Sequence, residues 1–359
     1  MVNDKLATFS LTNNFNLIRI FAAIQVALAH SASHLEVKLP SGFEVLSLFP
    51  GVPIFFTVSG FLISNSFYRN PSWKEYSINR IVRIFPGLWF CFIILLLGLF
   101  ATRVLTFDTL FSSYFWRWVL CQISFFQFYT PDFLRTWGVG APNGSLWTIP
   151  VEIQFYVFLP FIYFVHKQLS KRNWLVFCSF LIVAVLFLNY FYRTLDVNLM
   201  FAKLYHITLA PFLAYFLLGY FSFIFWKHIR KWVEGKFLIW AIIYGVYIGL
   251  VYFKLGLYDG SYYPNFFGWI SNVFLSMLVL SAAFSNGTLS DKILRGNDLS
   301  YGIYLYHMVV VNILIDLKVT SNKLLLALSI TFILAYLSWK LVEKPCLSLK
   351  STWKKVILN

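Results

Sequence analysis

The chain has 359 residues, of which 59% are hydrophobic, 21% aromatic and only 12% charged, and its mean hydropathy is +0.72. Soluble domains run about 45–50% apolar and about 25% charged, so this composition excludes a soluble enzyme and indicates an all-α, polytopic membrane bundle. The net charge of +15 does not point to nucleic acid, because the basic residues fall in short runs between apolar segments and form no continuous stripe.

About ten segments of near-bilayer length can be marked. They run 15–34, 46–67, 84–102, 145–165, 174–192, 204–226, 237–253, 266–285, 300–317 and 323–342. With the N-terminus inside, most of the 29 Lys and Arg residues fall on the inner side. That set is Lys5 and Arg19; Arg69, Lys74, Arg80 and Arg83; Lys167, Lys171 and Arg172; Lys227, Arg230, Lys231 and Lys236; Lys292 and Arg295; and Lys340, Lys344, Lys350, Lys354 and Lys355. The bias puts both termini in the cytoplasm. Residues 110–129 are apolar enough to suggest a further crossing, but a crossing there would invert every later cation. They are therefore expected to lie at the outer interface or to re-enter, with Arg117 kept out of lipid.

The expected organisation is a cytoplasmic segment 1–14, a membrane domain 15–346 and a short basic cytoplasmic tail 347–359, with no catalytic domain appended. Ala27-Leu28-Ala29 resembles a signal-peptidase site, but Gln25 interrupts the apolar run and many equally apolar spans follow, so the first helix is expected to stay uncleaved. Cys91, Cys121, Cys178 and Cys346 show neither metal-ligand spacing nor a disulfide framework, and no metal is expected.

The first span carries an ionisable residue at each end of an apolar stretch, Arg19 and His30. Eleven positions at about 100° each amount to three turns plus roughly 20°, so both project from nearly one face, about 16 Å apart along the axis. Ionisable groups inside a membrane are costly and mark function by default. The bland alternative is a topology charge and a packing histidine. The second span opens with Gly51 and Pro53, and Ser59-Gly60 in mid-span permits close approach of a neighbouring helix or a ligand. Arg80 and Arg83, three apart, make one guanidinium face on the same side as Arg19, suited to phosphate oxygens.

The sharpest motif runs from Asn143 to Tyr156, NGSLWTIPVEIQFY. Asn143-Gly144 signals a turn, Ser145 is expected to cap the helix that follows, and Pro150 to free the Leu146 carbonyl and bend that helix. Glu152 then lies about 10 Å below the outer entrance, at a depth comparable to His30, with Gln154 and Tyr156 on the same wall. A carboxylate beside an imidazole would hold its tautomer and raise its basicity; a structural ion pair is the alternative. The ninth span carries Tyr301, Tyr304 and His307 as an i, i+3 polar-aromatic stripe, which can equally be internally satisfied packing. Glu343 is expected at the inner interface, and no role falls to His34, His166, His206 or His228.

Taken in order, these motifs resemble the acyltransferase 3 family of integral-membrane acyltransferases over about residues 14–346. The matching stretches are Arg19 to His30, GVPIFFTVSGFLI, the Arg80/Arg83 pair before Pro86, GSLWTIPVEIQFY, SYGIYLYH and Glu343-Lys344-Pro345. Pro53 departs from the Asp common in that family's second-helix motif. The resemblance implies transfer of an acyl group, most often acetyl from acetyl-CoA, to a hydroxyl of an extracytoplasmic glycan or lipid-linked saccharide in the bacterial inner membrane.

On that reading His30 and Glu152 are catalytic, His30 as general base on the acceptor hydroxyl or as transient acceptor of the acyl group with Glu152 orienting it, and Arg19, Arg80, Arg83, Ser59, Trp147 and Tyr156 bind the donor. Asn143, Ser145, Gln154, Tyr304 and His307 are substrate-facing or structural polar groups. A homo-oligomer is compatible with the sequence. Two alternatives stay open: a proton-coupled transporter using a His/Glu relay, and a non-catalytic partner in polysaccharide assembly.

Overall fold

The computed structural model describes residues 12–196, 199–257 and 264–350. Most of the 1–14 segment and the basic tail, with Lys5, Lys354 and Lys355, lie outside the described residues. The described chain is helical throughout and contains no strand. Its helices are α1 (Phe15–His34), α2 (Gly51–Arg69), α3 (Trp73–Ala101), α4 (Ser113–Ile123) and α5 (Thr148–Gln168). Then come α6 (Lys171–Arg193), α7 (Met200–His206), α8 (Leu213–Ile224), α9 (Trp226–Val233) and α10 (Phe237–Ile248). The last are α11 (Phe266–Ala283), α12 (Leu289–Leu294), α13 (Ser300–Asp316), α14 (Lys323–Ser338) and α15 (Lys344–Ser348).

Eight helical stretches among the described residues are long and apolar enough to cross a bilayer, or nine if Met200–His206 and Ala210–Ile224, bent by 52°, form one broken span. The ninth expected segment is α13, 17 residues long and so about 26 Å. The 110–129 stretch holds only α4, 11 residues or about 16 Å, roughly half the hydrocarbon thickness. It buries Phe115, Trp118 and Gln122 and exposes Trp116 and Leu120, as an interfacial helix does. On α6, Val176, Phe180, Val183 and Phe187 follow helical spacing and are 63–70% exposed. Such a stripe is a lipid-facing surface; in water it would be an aggregation site.

The chain divides into two compact units. One holds 1–22, 46–72 and 151–296, the other 23–45, 73–150 and 297–359. In the first, α2 packs on α8 with almost no space between the backbones. A methyl on Gly60 would run into the Phe216 carbonyl, and one on Gly219 into the Thr57 carbonyl. Of the two uses open to Gly60, the neighbouring helix is the one found. Because the obstacles are backbone atoms, Gly60→Val is expected to cost about 3 kcal/mol. It should lower the thermal midpoint of the detergent-solubilised protein, and an unchanged midpoint would refute this packing.

Asn14 closes the same unit from outside α1. Its Nδ2 donates to the carbonyls of Ser285 (2.7 Å), Asn286 (3.1 Å) and Ala282 (3.2 Å), and its Oδ1 accepts from Ser290 N–H at 2.9 Å. One side chain thus serves the groups that the end of α11 and the start of α12 leave open.

In the second unit α13 is buried on every side from Ser300 to Asn312, the mark of a central helix. Asn312 gathers a loop onto it. Nδ2 donates to the carbonyls of Ala141 (2.8 Å) and Pro142 (3.0 Å), and Oδ1 accepts from Val139 N–H at 2.8 Å.

Candidate active site

The second unit contains a pair of imidazoles. His30, on α1 eleven positions after Arg19, places Nδ1 3.0 Å from Nε2 of His307 on α13. The rings are 5.2 Å apart between centroids. His307 is 0% exposed, and its own Nδ1 lies 3.3 Å from the Ile303 carbonyl oxygen, one turn back on the same helix. The hydrogen-bond partner of His30 is therefore a second imidazole. His34 is near on the same helix, its ring centroid 6.1 Å from that of His30.

The turn before α5 is latched to the segment of α13 that carries His307. Asn143 Nδ2 donates to the Leu305 carbonyl at 2.9 Å. Ser145 Oγ donates to Asn143 Oδ1 at 2.7 Å and lies 3.3 Å from the Tyr304 carbonyl oxygen. Tyr304 Oη donates to the Ser145 carbonyl at 2.9 Å and so accepts from Thr148 Oγ1 at 2.8 Å. Two expectations change here. Ser145 does not cap the following helix, because residues Gly144–Trp147 form a 3-10 turn and its hydroxyl is used in the latch. Pro150 causes no bend either: α5 begins at Thr148, so the proline falls in the first turn, where its missing N–H has no ladder partner anyway. The proline inside α5 is Pro160. Tyr304 meets His307 through its ring, with centroids 5.8 Å apart, while its hydroxyl bonds Ser145 and Thr148. Trp147 sits in the 3-10 turn, half-buried.

Arg80 and Arg83 share one side of α3, as their spacing requires, and both are half-buried. Arg80 lies over the Tyr76 ring at 5.5 Å. Arg83 Nη2 pairs with Asp298 Oδ2 at 2.6 Å, and its guanidinium lies 5.9 Å from the Tyr301 ring centroid. Asp298 Oδ1 in turn accepts from Ser300 N–H (3.2 Å) and Ser300 Oγ (2.5 Å), capping α13. Tyr301 Oη donates to the Ile84 carbonyl at 3.0 Å. Glu343, expected at the inner interface, is 3% exposed. It lies on the π-turn Trp339–Glu343 and accepts from Ser338 Oγ at 2.8 Å. Nothing in the spacing of the last span signals that turn.

In the first unit, Arg19 and Ser59 are half-buried on α1 and α2. Glu152 and Tyr156, one turn apart on α5, share a hydrogen bond in which the phenol donates to the carboxylate. Gln154 repairs the break between α7 and α8: Nε2 donates to the Ile207 carbonyl at 2.9 Å and Oε1 accepts from Leu209 N–H at 2.8 Å. Irregular backbone at membrane depth needs such partners, which gives Gln154 a structural task.

Long lipid-facing helices with ionisable side chains sequestered among them define a multi-pass membrane protein with an internal polar site. A family profile described as an acyltransferase domain matches residues 12–342, and the chain belongs to the acyltransferase 3 family. It is 30% identical to nodulation protein 10 of Rhizobium leguminosarum bv. viciae, over 95% of this chain and 94% of that protein. It is 27% identical to the O-acetyl transferase of Shigella phage Sf6, over 95% of this chain and 97% of that protein. No solved structure matches. The chain is an O-acyltransferase.

Proposed function

We propose that the protein moves an acetyl group from cytoplasmic acetyl-CoA to a hydroxyl of an extracytoplasmic or lipid-linked polysaccharide, in the bacterial inner membrane, with both termini in the cytoplasm. The observation that carries this reading is α1 itself. A cation and a hydrogen-bonded imidazole lie on one helix about 16 Å apart, a distance of the order of a pantetheine arm. Arg19, Arg80 and Arg83 hold the donor's phosphates, with Ser59, Trp147 and Tyr156 along its path, so that the thioester reaches His30. The imidazole takes the proton of the acceptor hydroxyl while that oxygen attacks the thioester carbonyl. The new C–O bond forms, the C–S bond breaks, and the CoA sulfur leaves with the proton from His30. Glu152, kept in a defined orientation by Tyr156, is the second ionisable group assigned to the reaction.

Mass spectrometry of the surface polysaccharide from cells with and without the gene tests the acceptor class. A mass difference of one acetyl per modified sugar is expected, and identical spectra would refute the glycan assignment. Acetyl-CoA at about 1 mM should raise the thermal midpoint of the purified protein by mass action. An unmoved midpoint would count against this donor.

A further inference from the structure

We propose that His307 is a positioning residue for the transfer: it accepts the Nδ1–H of His30, and so fixes the tautomer whose lone pair is on Nε2. The inference rests on the reading of His30 as the base. It begins at an atom that cannot change its role. The Ile303 carbonyl can only accept, so the His307 Nδ1 that faces it at 3.3 Å carries a proton. A neutral imidazole has one N–H, which leaves His307 Nε2 with a lone pair. That nitrogen is 3.0 Å from His30 Nδ1, and His30 Nδ1 must then be the donor. His30 Nε2 is left as the basic nitrogen. The direction of the whole chain of hydrogen bonds is thus set by the main chain of α13.

Two features hold this arrangement. His307 is wholly enclosed, and the Leu305 carbonyl just before it is held by Asn143, with Ser145 Oγ 3.3 Å from the Tyr304 carbonyl. When His30 takes a proton on Nε2 it becomes a cation, and its Nδ1–H bond to His307 becomes charge-assisted and stronger. A neutral imidazole therefore supports the protonated base in the place where other acyl-transfer sites use a carboxylate.

The test uses full-length protein in liposomes, with ¹⁵N-labelled histidine and His30 assigned from the His30→Gln difference spectrum. Wild-type His30 is expected to show Nδ1 protonated and Nε2 bare. His307→Gln, whose amide oxygen can reach the position of Nε2, should keep that tautomer; His307→Asn, one methylene shorter, and His307→Leu should lose it. With radiolabelled acetyl-CoA and host membranes bearing the native polysaccharide, Asn and Leu should lower kcat about 10²-fold, with KM for acetyl-CoA within about twofold, and Gln should stay within about tenfold of wild type. The Gln/Asn pair decides the matter even where His307→Leu fails to fold. The proposal is overturned if wild-type His30 carries its proton on Nε2, or if His307→Asn transfers acetyl at the wild-type rate. A His30→Gln protein with wild-type transfer overturns the catalytic reading instead; the ¹⁵N spectra judge the hydrogen-bond direction separately.

Discussion

Surface polysaccharide with no more O-acetyl than in cells lacking the gene is the expected result of His30→Gln. The amide is close to imidazole in size and can still donate to His307 Nε2, the partner 3.0 Å away, so the packing of α1 against α13 is retained. What it cannot do is take a proton from a hydroxyl. General-base catalysis accounts for about 10²–10⁴ in rate, and a loss of about 10³ corresponds to about 4 kcal/mol of transition-state stabilisation. Acetyl-CoA should bind as before, because the phosphates are assigned to arginines elsewhere. A variant that keeps its acetyl-CoA thermal shift but not its transfer separates chemistry from binding. Full transfer by His30→Gln would rule the imidazole out as the base.

Arg83→Ala is expected to act first on stability. The Arg83 and Asp298 side chains are 18% and 8% exposed, and removing one partner of a buried pair leaves the other charged and desolvated, a cost of about 3–5 kcal/mol. Asp298 also caps α13 through Ser300, so the penalty reaches the helix that carries His307. The thermal midpoint without ligand should therefore fall for Arg83→Ala. Arg80→Ala, by contrast, removes a guanidinium that lies over Tyr76. It should raise KM for acetyl-CoA. An Arg83→Ala protein that melts like wild type would show that the ion pair adds nothing, and would return Arg83 to a purely donor-binding role.

Helix positions were legible because they depend on local composition: α1, α2 and α6 fall almost where the apolar runs place them. The assignment of 110–129 away from a full crossing rested on charge bookkeeping across the whole chain, and the 11-residue α4 agrees with it. Partner choice was not legible, since it is decided between residues far apart in sequence. His30 and His307 are separated by 277 positions, and periodicity gives each a face but never a mate. The effect of Pro150 depends on where α5 starts; with the start at Thr148 an apparent helix breaker is an ordinary first-turn residue. A single asparagine before a span looks like any other, and the four partners of Asn14 lie between 268 and 276 positions away.

The grip of Asn143 and Ser145 on α13 has an evolutionary consequence, because the atoms it holds on that helix are main-chain oxygens of Tyr304 and Leu305. Every amino acid supplies such an oxygen, so the clasp makes no demand on which side chain stands at 305; only the burial of Leu305 in the core does. Paired substitutions between 143 and 305 are therefore not expected among descendants of this gene, and statistical contact maps built from covariation will pass over one of the attachments that keeps the histidine helix in register.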